Sequence, residues 1–349
     1  MLELWYSILV FMITTYIVMD GWNFGAGILH LFVARTPAER RQVISAMGPL
    51  WSWHEVWLVG FGGTMFVAFP RLMAAGFSGY YLALFLILWC LLLRGVSVEV
   101  GGHIDDRMWQ TFWDSVFFLA SVLLSILFGV ALGNVARGVP LDSTGEFHMA
   151  FFTNFSVRGY VGLLDWYTIS VGVVCHVILM AHGATYLILK TEGPVHDRAV
   201  RIARWVWSII PFFFVLISVE TWVVRPQLLP DLVGHPLAWI GILVFLIGAG
   251  ALFTGLREGL EKRAFTGSCM IMVGLLEAGA AAIFPVFLFS TLKPEDSLTV
   301  YNTASSMTSL ELALIWWPIS LVMAFTYFWF IIRHYSGKVK LSTDTQGYY

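Results

Sequence analysis

Charge is what this sequence has least of. Only 12% of its 349 residues are Asp, Glu, Lys or Arg, about half the share of an ordinary soluble domain, and the net charge is −2. So small a balance excludes a nucleic-acid partner held by overall electrostatics, and equally a chain drawn to an anionic membrane surface. Cysteine is scarce as well. Cys90, Cys175 and Cys269 lie singly in apolar runs without C-x-x-C or C-x-x-C-H spacing, which argues against a disulfide framework, a zinc site and covalent c-type haem. Long polar stretches are also missing: the longest connections, near 136–159 and 290–309, are too short to hold a core of their own. The first 33 residues lack a basic start and an A-x-A-like cleavage site, so they read as a retained span rather than a signal peptide.

Apolar side chains take up the space: 58% of residues are hydrophobic and 16% aromatic. A bilayer core of about 30 Å needs about 20 apolar residues in helix. Runs of that kind recur near 5–33, 51–76, 79–100, 111–135, 160–187, 201–223, 237–256, 264–289 and 310–332. The expectation is an all-α polytopic protein of about nine spans, a single integral membrane domain over 1–349. Lipid cannot satisfy an open backbone, and the alternation of barrel strands is absent. Two four-helix groups plus one peripheral helix are expected, with spans 1–4 and 6–9 as the groups on either side of a long outer loop. Alternate connections divide the twenty Lys and Arg unequally. Fifteen fall on one side, among them Arg35, Arg40, Arg41, Arg94, Arg107, Lys190, Arg198, Arg257 and Arg333, against Arg71, Arg137, Arg158, Arg225 and Lys293 on the other. That bias puts the amino terminus outside and the carboxyl terminus in the cytoplasm.

Ionisable groups within a span are costly and usually face protein or a water-filled path. Asp20 falls near the middle of span 1, and the spacing of Asp20, Asn23, Gly27 and His30 puts them on one helical seam. Ser52 and Glu55, three apart, share a face in the first turn of span 2. Glu99 ends span 3 on the same side, and Asp105, Asp106 and Asp114 surround the next helix start. Together they suggest a cytoplasm-facing acidic vestibule leading to Asp20 and a proton-uptake route. The plainer readings are helix caps for Asp106, Asp114, Asp165 and Glu311, a packing partner for Asp20 from a neighbouring chain, and packing or subunit docking for Glu220 and Glu277. No metal site is expected. The histidines suggest no haem ligand: the six-residue spacing of His176 and His182 turns them to different faces, and His103, His148, His196, His235 and His334 lie in connections or near span ends. A competing class is a secondary transporter or channel, in which Asp20 and Glu277 bind an ion beside helices unwound at Gly25-Ala26-Gly27 and Gly248-Ala249-Gly250. Glycines of that kind also permit close helix contact.

An ordered series of motifs resembles subunit II of the cytochrome bd-type ubiquinol oxidases. The family motif D-G-F-D-x-G-x-G corresponds to Asp20-Gly21-Trp22-Asn23-Phe24-Gly25-Ala26-Gly27, and R-x-x-x-E-R-R to Arg35-Thr36-Pro37-Ala38-Glu39-Arg40-Arg41. G-P-x-W-D-G-N-E-V-W-L corresponds to Gly48-Pro49-Leu50-Trp51-Ser52-Trp53-His54-Glu55-Val56-Trp57-Leu58, followed by Gly62-Gly63 and Phe69-Pro70. Gly129 to Asn134, His182 to Leu187, Lys190 to Gly193 and Phe284-Pro285 continue the series over nearly the whole chain.

The resemblance implies a heterodimer in the bacterial cytoplasmic (inner) membrane, oxidising quinol and reducing oxygen to water. It places haem b and haem d on subunit I, with no haem on this chain. In some members it adds a structural quinone or phospholipid, or small single-span subunits. It also implies a structural and proton-supply role for Asp20, Asn23, Ser52, His54, Glu55 and Glu99. Two family acids are replaced, by Asn23 and Ser52, which can support a water chain but carry no negative charge. A route through this subunit then relies on Asp20, His54, Glu55 and Glu99. On that reading, Asp20→Asn and Glu99→Gln in the assembled complex slow quinol-driven oxygen uptake and leave the haem spectrum in place; unchanged uptake in both removes these positions from the route.

Overall fold

The computed structural model describes residues 1–157 and 159–341, with Pro49 described by its backbone alone. Arg158, counted above among the outer cations, and the Pro49 side chain of the G-P motif lie outside the described residues. The helices are α1 (Leu2–Val33), α2 (Pro37–Met47), α3 (Glu55–Ala68), α4 (Pro70–Gly79), α5 (Tyr81–Val100), α6 (Arg107–Arg137) and α7 (Trp166–Lys190). They continue as α8 (Pro194–Val224), α9 (Leu228–Gly234), α10 (Pro236–Glu258), α11 (Glu261–Ile283), α12 (Val300–Thr303) and α13 (Met307–His334). Strands β1 (Val286–Leu288) and β2 (Leu298–Thr299) form a small antiparallel pair between α11 and α12.

Among the described residues eight helices are long and apolar enough to cross a bilayer. The second expected span, 51–76, is the exception. Residues 51–54 are turns, and helix begins only at Glu55, so Ser52 does not share a helix face with Glu55. The helix breaks again at Phe69, whose φ of −137° and ψ of 63° leave the helical region as expected of a residue before proline. α3 has 14 residues, about 21 Å of helix against a hydrocarbon core of about 30 Å. Span 8 also ends early, at Ile283, and gives way to β1.

α1 is the hub, packing against α3, α6, α7 and α11. Its crossing with α7 is set by Gly25 and Gly183, since a Cβ on either would meet the other helix's backbone: the amide nitrogen and Cα of Gly183 lie only 2.6 Å from one built on Gly25. No other residue permits that approach. α1, α3, α5 and α6 make a first group through the α1/α3, α1/α6 and α5/α6 contacts, α7 packs on α6, α8, α1 and α11, and α10 packs on α11. α13 rests on α3 as a peripheral helix, only 11% of its apolar window being buried. α1 and α10 run unbroken through Gly25-Ala26-Gly27 and Gly248-Ala249-Gly250. Gly248 lies against the Gly267 carbonyl of α11, so these glycines serve helix contact and not unwinding. The outward faces of α5, α8, α10 and α13 expose residues such as Leu88, Trp89, Phe212, Leu243 and Ile319, the inverse of a soluble surface.

The R-x-x-x-E-R-R segment fastens the basic end. Thr36 and Glu39 form a capping box at the start of α2, with Pro37 in the first turn. Glu39 also pairs with Arg198 of α8 at 2.8 Å, and Arg40 with Asp114 of α6 at 2.8 Å. At this end Lys190 donates to the Tyr335 and Gly337 carbonyls, and Gln42 to the Glu192 and Val339 carbonyls. The tail after α13 is thereby tied over the ends of α2 and α7. At the opposite end the hairpin joins the 139–141 segment through the Val139 amide and the Phe289 carbonyl.

Two outcomes are expected. Gly25→Val or Gly183→Val overpacks the α1/α7 crossing by at least about 1–3 kcal/mol and lowers the thermal midpoint in detergent, whereas Gly250→Val, with nothing near its Cβ, leaves it unchanged. Glu39 is held below its ordinary value of 4.5, chiefly by the Arg198 guanidinium, with the Arg35 and Thr36 amides adding to it against the cost of burial. A carboxyl depressed on folding stabilises above its unfolded value, and that contribution is lost as pH falls through the depressed folded value. Arg198→Met therefore raises the pH at which the protein loses stability on acidification, read by thermal melts across an acid series.

Candidate functional site

The break before α3 places the site. α2 stops at Gly48, whose φ of 53° suits glycine, and residues 48–54 descend beside α1 as a 3-10 turn and further turns. Irregular backbone at membrane depth is tolerated only inside protein or along a water-filled cavity. Here it brings His54 to Asn23 of α1: the Asn23 amide nitrogen lies 2.7 Å from His54 Nδ1 and 3.1 Å from Asp20 Oδ1. The amide donates to both, so His54 Nδ1 accepts. Glu55 then opens α3, where the unpaired amides of a helix start favour negative charge.

Sequence reasoning missed the central residue, Arg94. It was counted among the cations of a connection, yet it lies within α5 with its side chain 1% exposed. Its two terminal nitrogens bond Asp20 Oδ1 and Oδ2 at 2.8 and 2.9 Å, and one of them reaches Glu55 Oε1 at 3.3 Å. The guanidinium also stands 4.6 Å from the centre of the Phe24 ring, a favourable cation–π distance. The partner of Asp20 is thus in the same chain, not a neighbouring one. The available signal was the rule that an acid in hydrocarbon seeks a base, applied to the one arginine inside the apolar run of span 3. Removing Arg94 from the connection leaves the basic bias between the two ends intact.

The other expected residues divide. Asp20, Asn23, His54 and Glu55 come together around Arg94. Ser52 is half-buried in the turn preceding them. Glu99 is exposed and accepts from the Trp51 indole at 3.2 Å, while the Trp51 ring lies over Gly95, one residue beyond Arg94. Farther along the seam, Gly27 and His30 turn to α6: a Cβ on Gly27 would meet Ser121, and His30 Nε2 lies 2.8 Å from Asp114. Asp106 caps α6 and Asp165 caps α7. Asp165 also pairs with Arg137, which holds Asn134 at 2.5 Å, a separate buried cluster at the opposite end. Glu277 lies beside Thr14, six residues before Asp20 and about 9 Å away along α1. With both Asp20 oxygens engaged by Arg94, a joint Asp20/Glu277 ion site is not formed. Among the described residues no group of three or more His, Cys, Asp or Glu could hold a metal.

Several imidazoles are held by contacts within the chain. His182 bonds Ser268 and the Val18 carbonyl, His176 bonds Ser125, and His54 stands edge-on to Trp22 at 4.9 Å. Cavities of about 230 Å³ beside Lys190 and His334 and of about 70 Å³ beside Tyr80 are smaller than the roughly 300 Å³ of the smallest usual cofactor pockets.

Fold and site define an all-α multi-pass membrane protein with a charged cluster inside its first helix group. The profile of the cytochrome bd terminal oxidase subunit II family matches residues 1–335, and the chain belongs to that family. It is 29% identical over 354 residues to the probable cytochrome oxidase subunit 2 of Haemophilus influenzae, covering 93% of this chain and 91% of that one. It is 28% identical over 356 residues to the cytochrome bd-I ubiquinol oxidase subunit 2 of Escherichia coli K12, covering 93% of each. To the cytochrome bd ubiquinol oxidase subunit 2 of Bacillus subtilis it is 28% identical, covering 88% of each. A chain of the bd oxidase structure from Geobacillus thermodenitrificans shares the fold, with a TM-score of 0.73, 14% identity, and coverage of 96% of this chain and 98% of that chain.

Removing one member of a buried ion pair leaves an uncompensated charge and costs about 3–5 kcal/mol, whereas exposed pairs contribute about 0–1 kcal/mol. Arg94→Met is expected to lower the thermal midpoint sharply. Arg263→Met, which breaks the exposed Glu258 pair, is expected to leave it within error.

Proposed function

We propose that this chain is the non-haem subunit II of a bd-type terminal quinol oxidase in a bacterial cytoplasmic membrane, paired with a haem-bearing subunit I. Its amino terminus lies outside and its carboxyl terminus in the cytoplasm. The complex oxidises quinol and reduces oxygen to water, with haem b and haem d on subunit I; small single-span subunits complete it in some arrangements. Reducing one oxygen molecule to water consumes four electrons and four protons. The role of this chain is to stabilise the assembly and to help deliver those protons from the cytoplasm along a path lined by Glu99, Ser52, His54, Glu55, Asn23 and Asp20.

The observation that carries the reading is the charged cluster at the broken start of α3. Arg94 is sealed behind Asp20, but the Glu55 side chain is 33% exposed, and Val56 and Val59 of α3 and Trp89 and Leu92 of α5 are exposed as well. A carboxylate there requires water or another protein surface, because hydrocarbon solvates neither charge nor irregular backbone. Subunit I fits that requirement, covering α3, α5 and the loosely held α13. Buried Asn23 Oδ1 and Arg94 Nε have no hydrogen-bond partner among the described residues, which suits internal water. The transporter reading has no such support, since its unwinding points are regular helix and both Asp20 oxygens are taken by Arg94.

Co-expression of this chain with the neighbouring membrane subunit and gentle purification tests the proposal. A stoichiometric complex is expected, with b- and d-type features in the reduced-minus-oxidised spectrum and oxygen uptake driven by quinol. A colourless, partnerless protein would refute it.

A further inference from the structure

We infer that Glu55 is the exchangeable carboxyl of the buried cluster, taking up a proton and giving it off again, while Asp20 is the fixed counter-ion of Arg94. The inference rests on the proposed oxidase function and divides the roles within it.

The two carboxyls differ in every geometric respect. Asp20 is 0% exposed and receives Arg94 through both oxygens at 2.8 and 2.9 Å, with a third bond from Asn23. A proton on Asp20 would break a bidentate pair and leave the guanidinium poorly compensated in a dry site, an expensive state. Glu55 makes one longer contact at 3.3 Å through Oε1, and its side chain is 33% exposed. Among the described residues its other oxygen accepts no hydrogen bond. With Glu55 ionised, Asp20, Glu55 and Arg94 sum to one negative charge. With Glu55 protonated they sum to zero, and the Arg94–Asp20 pair stays whole. Only Glu55 can cycle without dismantling the cluster.

The surroundings fit a loading step from the basic end. Asp20, Tyr16 and Asn23 on α1, His54 in the turn, Arg94 and Glu99 on α5, and Tyr327 with Phe328 on α13 are the polar and ring-bearing groups around the start of α3. Trp51, bonded to Glu99 and laid on Gly95, links the exposed carboxylate to the segment of α5 that carries Arg94. A proton from cytoplasmic water forms the O–H bond on Glu55. That bond then breaks toward the acceptor on the partner side, where oxygen reduction consumes the proton. No electron passes through this residue.

Glu55→Gln, Glu55→Asp and Asp20→Asn, each in the complex purified with its haem-bearing subunit, test the division. Haem content, thermal midpoint and quinol-driven oxygen uptake against pH are the readouts. Glu55→Gln is expected to keep haem and midpoint, to slow uptake about tenfold and to flatten one limb of the pH profile, and Glu55→Asp to restore most of the rate. Asp20→Asn is expected to lose stability or haem while the surviving complex turns over normally per haem, in place of the slowed but intact complex expected from the water-chain reading of the sequence. Normal uptake in Glu55→Gln, or an intact Asp20→Asn complex that turns over slowly, would overturn the assignment. Should Glu55→Gln fail to assemble, a protonated-carboxyl band in the infrared redox difference spectrum decides: it moves in Glu55→Asp if the assignment holds, and a band that stays put overturns it. Absence of both haem and quinol oxidation from the unaltered complex would instead refute the oxidase reading itself.

Discussion

The constraint on which the first helix group depends is that no charge can stay unpaired in hydrocarbon. Arg94 and Asp20 meet through two short bonds with almost no exposure, and several features of the surrounding chain follow from that pair. The pair ties α5 to α1. The guanidinium lies on Phe24, and its remaining reach extends to Glu55. A buried pair of this kind is a poor source of net stability when compared with apolar packing, but it fixes the register of α1 against α5, because a shift of either helix by one turn would strand two charges.

The broken second span is the other side of the same constraint. A regular helix over 51–76 would carry Glu55 along a lipid-spanning surface with no reason for an acid there. Ending α2 at Gly48 and delaying α3 until Glu55 instead puts the amide-rich start of a short helix beside the Arg94 pair. The acid then has a helix dipole and a guanidinium as neighbours. The cost is seven residues, 48–54, outside regular α-helix, and the rings of Trp22 and Phe328 stand around His54 among them.

Much of this was legible in the sequence and some was not, for physical reasons. Apolar run length gave eight of the spans directly, because the hydrocarbon thickness sets that length whatever the tertiary packing. The break at Phe69-Pro70 was also available, since proline restricts the residue before it, but apolar composition on both sides hid it. Asp20 announced itself by its depth. Arg94 did not, because a cation six residues from the end of a span looks like one that snorkels to the interface, and only the position of Asp20 in space shows that it turns inward. His30 and Asn23 share the Asp20 seam by helical spacing, yet they face different neighbours, since a seam as broad as one helix face borders more than one packed helix. Glu39, in a motif read only as part of a resemblance, has a complete local explanation as a cap and as the partner of Arg198.

The replacements at Asn23 and Ser52 gain meaning from this geometry. An acid at position 23 would stand next to Asp20 with only Arg94 to neutralise both, and Glu55 would add a third negative charge to the same guanidinium. Asn23 removes that excess and still donates to Asp20 and His54, so the hydrogen-bonded link persists without the charge. Ser52 likewise leaves a hydroxyl in the turn below. With those two positions neutral, the acids in direct contact with Arg94 are Asp20 and Glu55. One is locked in a bidentate pair and the other is single-bonded and partly open, an arrangement that separates the structural role of a buried acid from the mobile one.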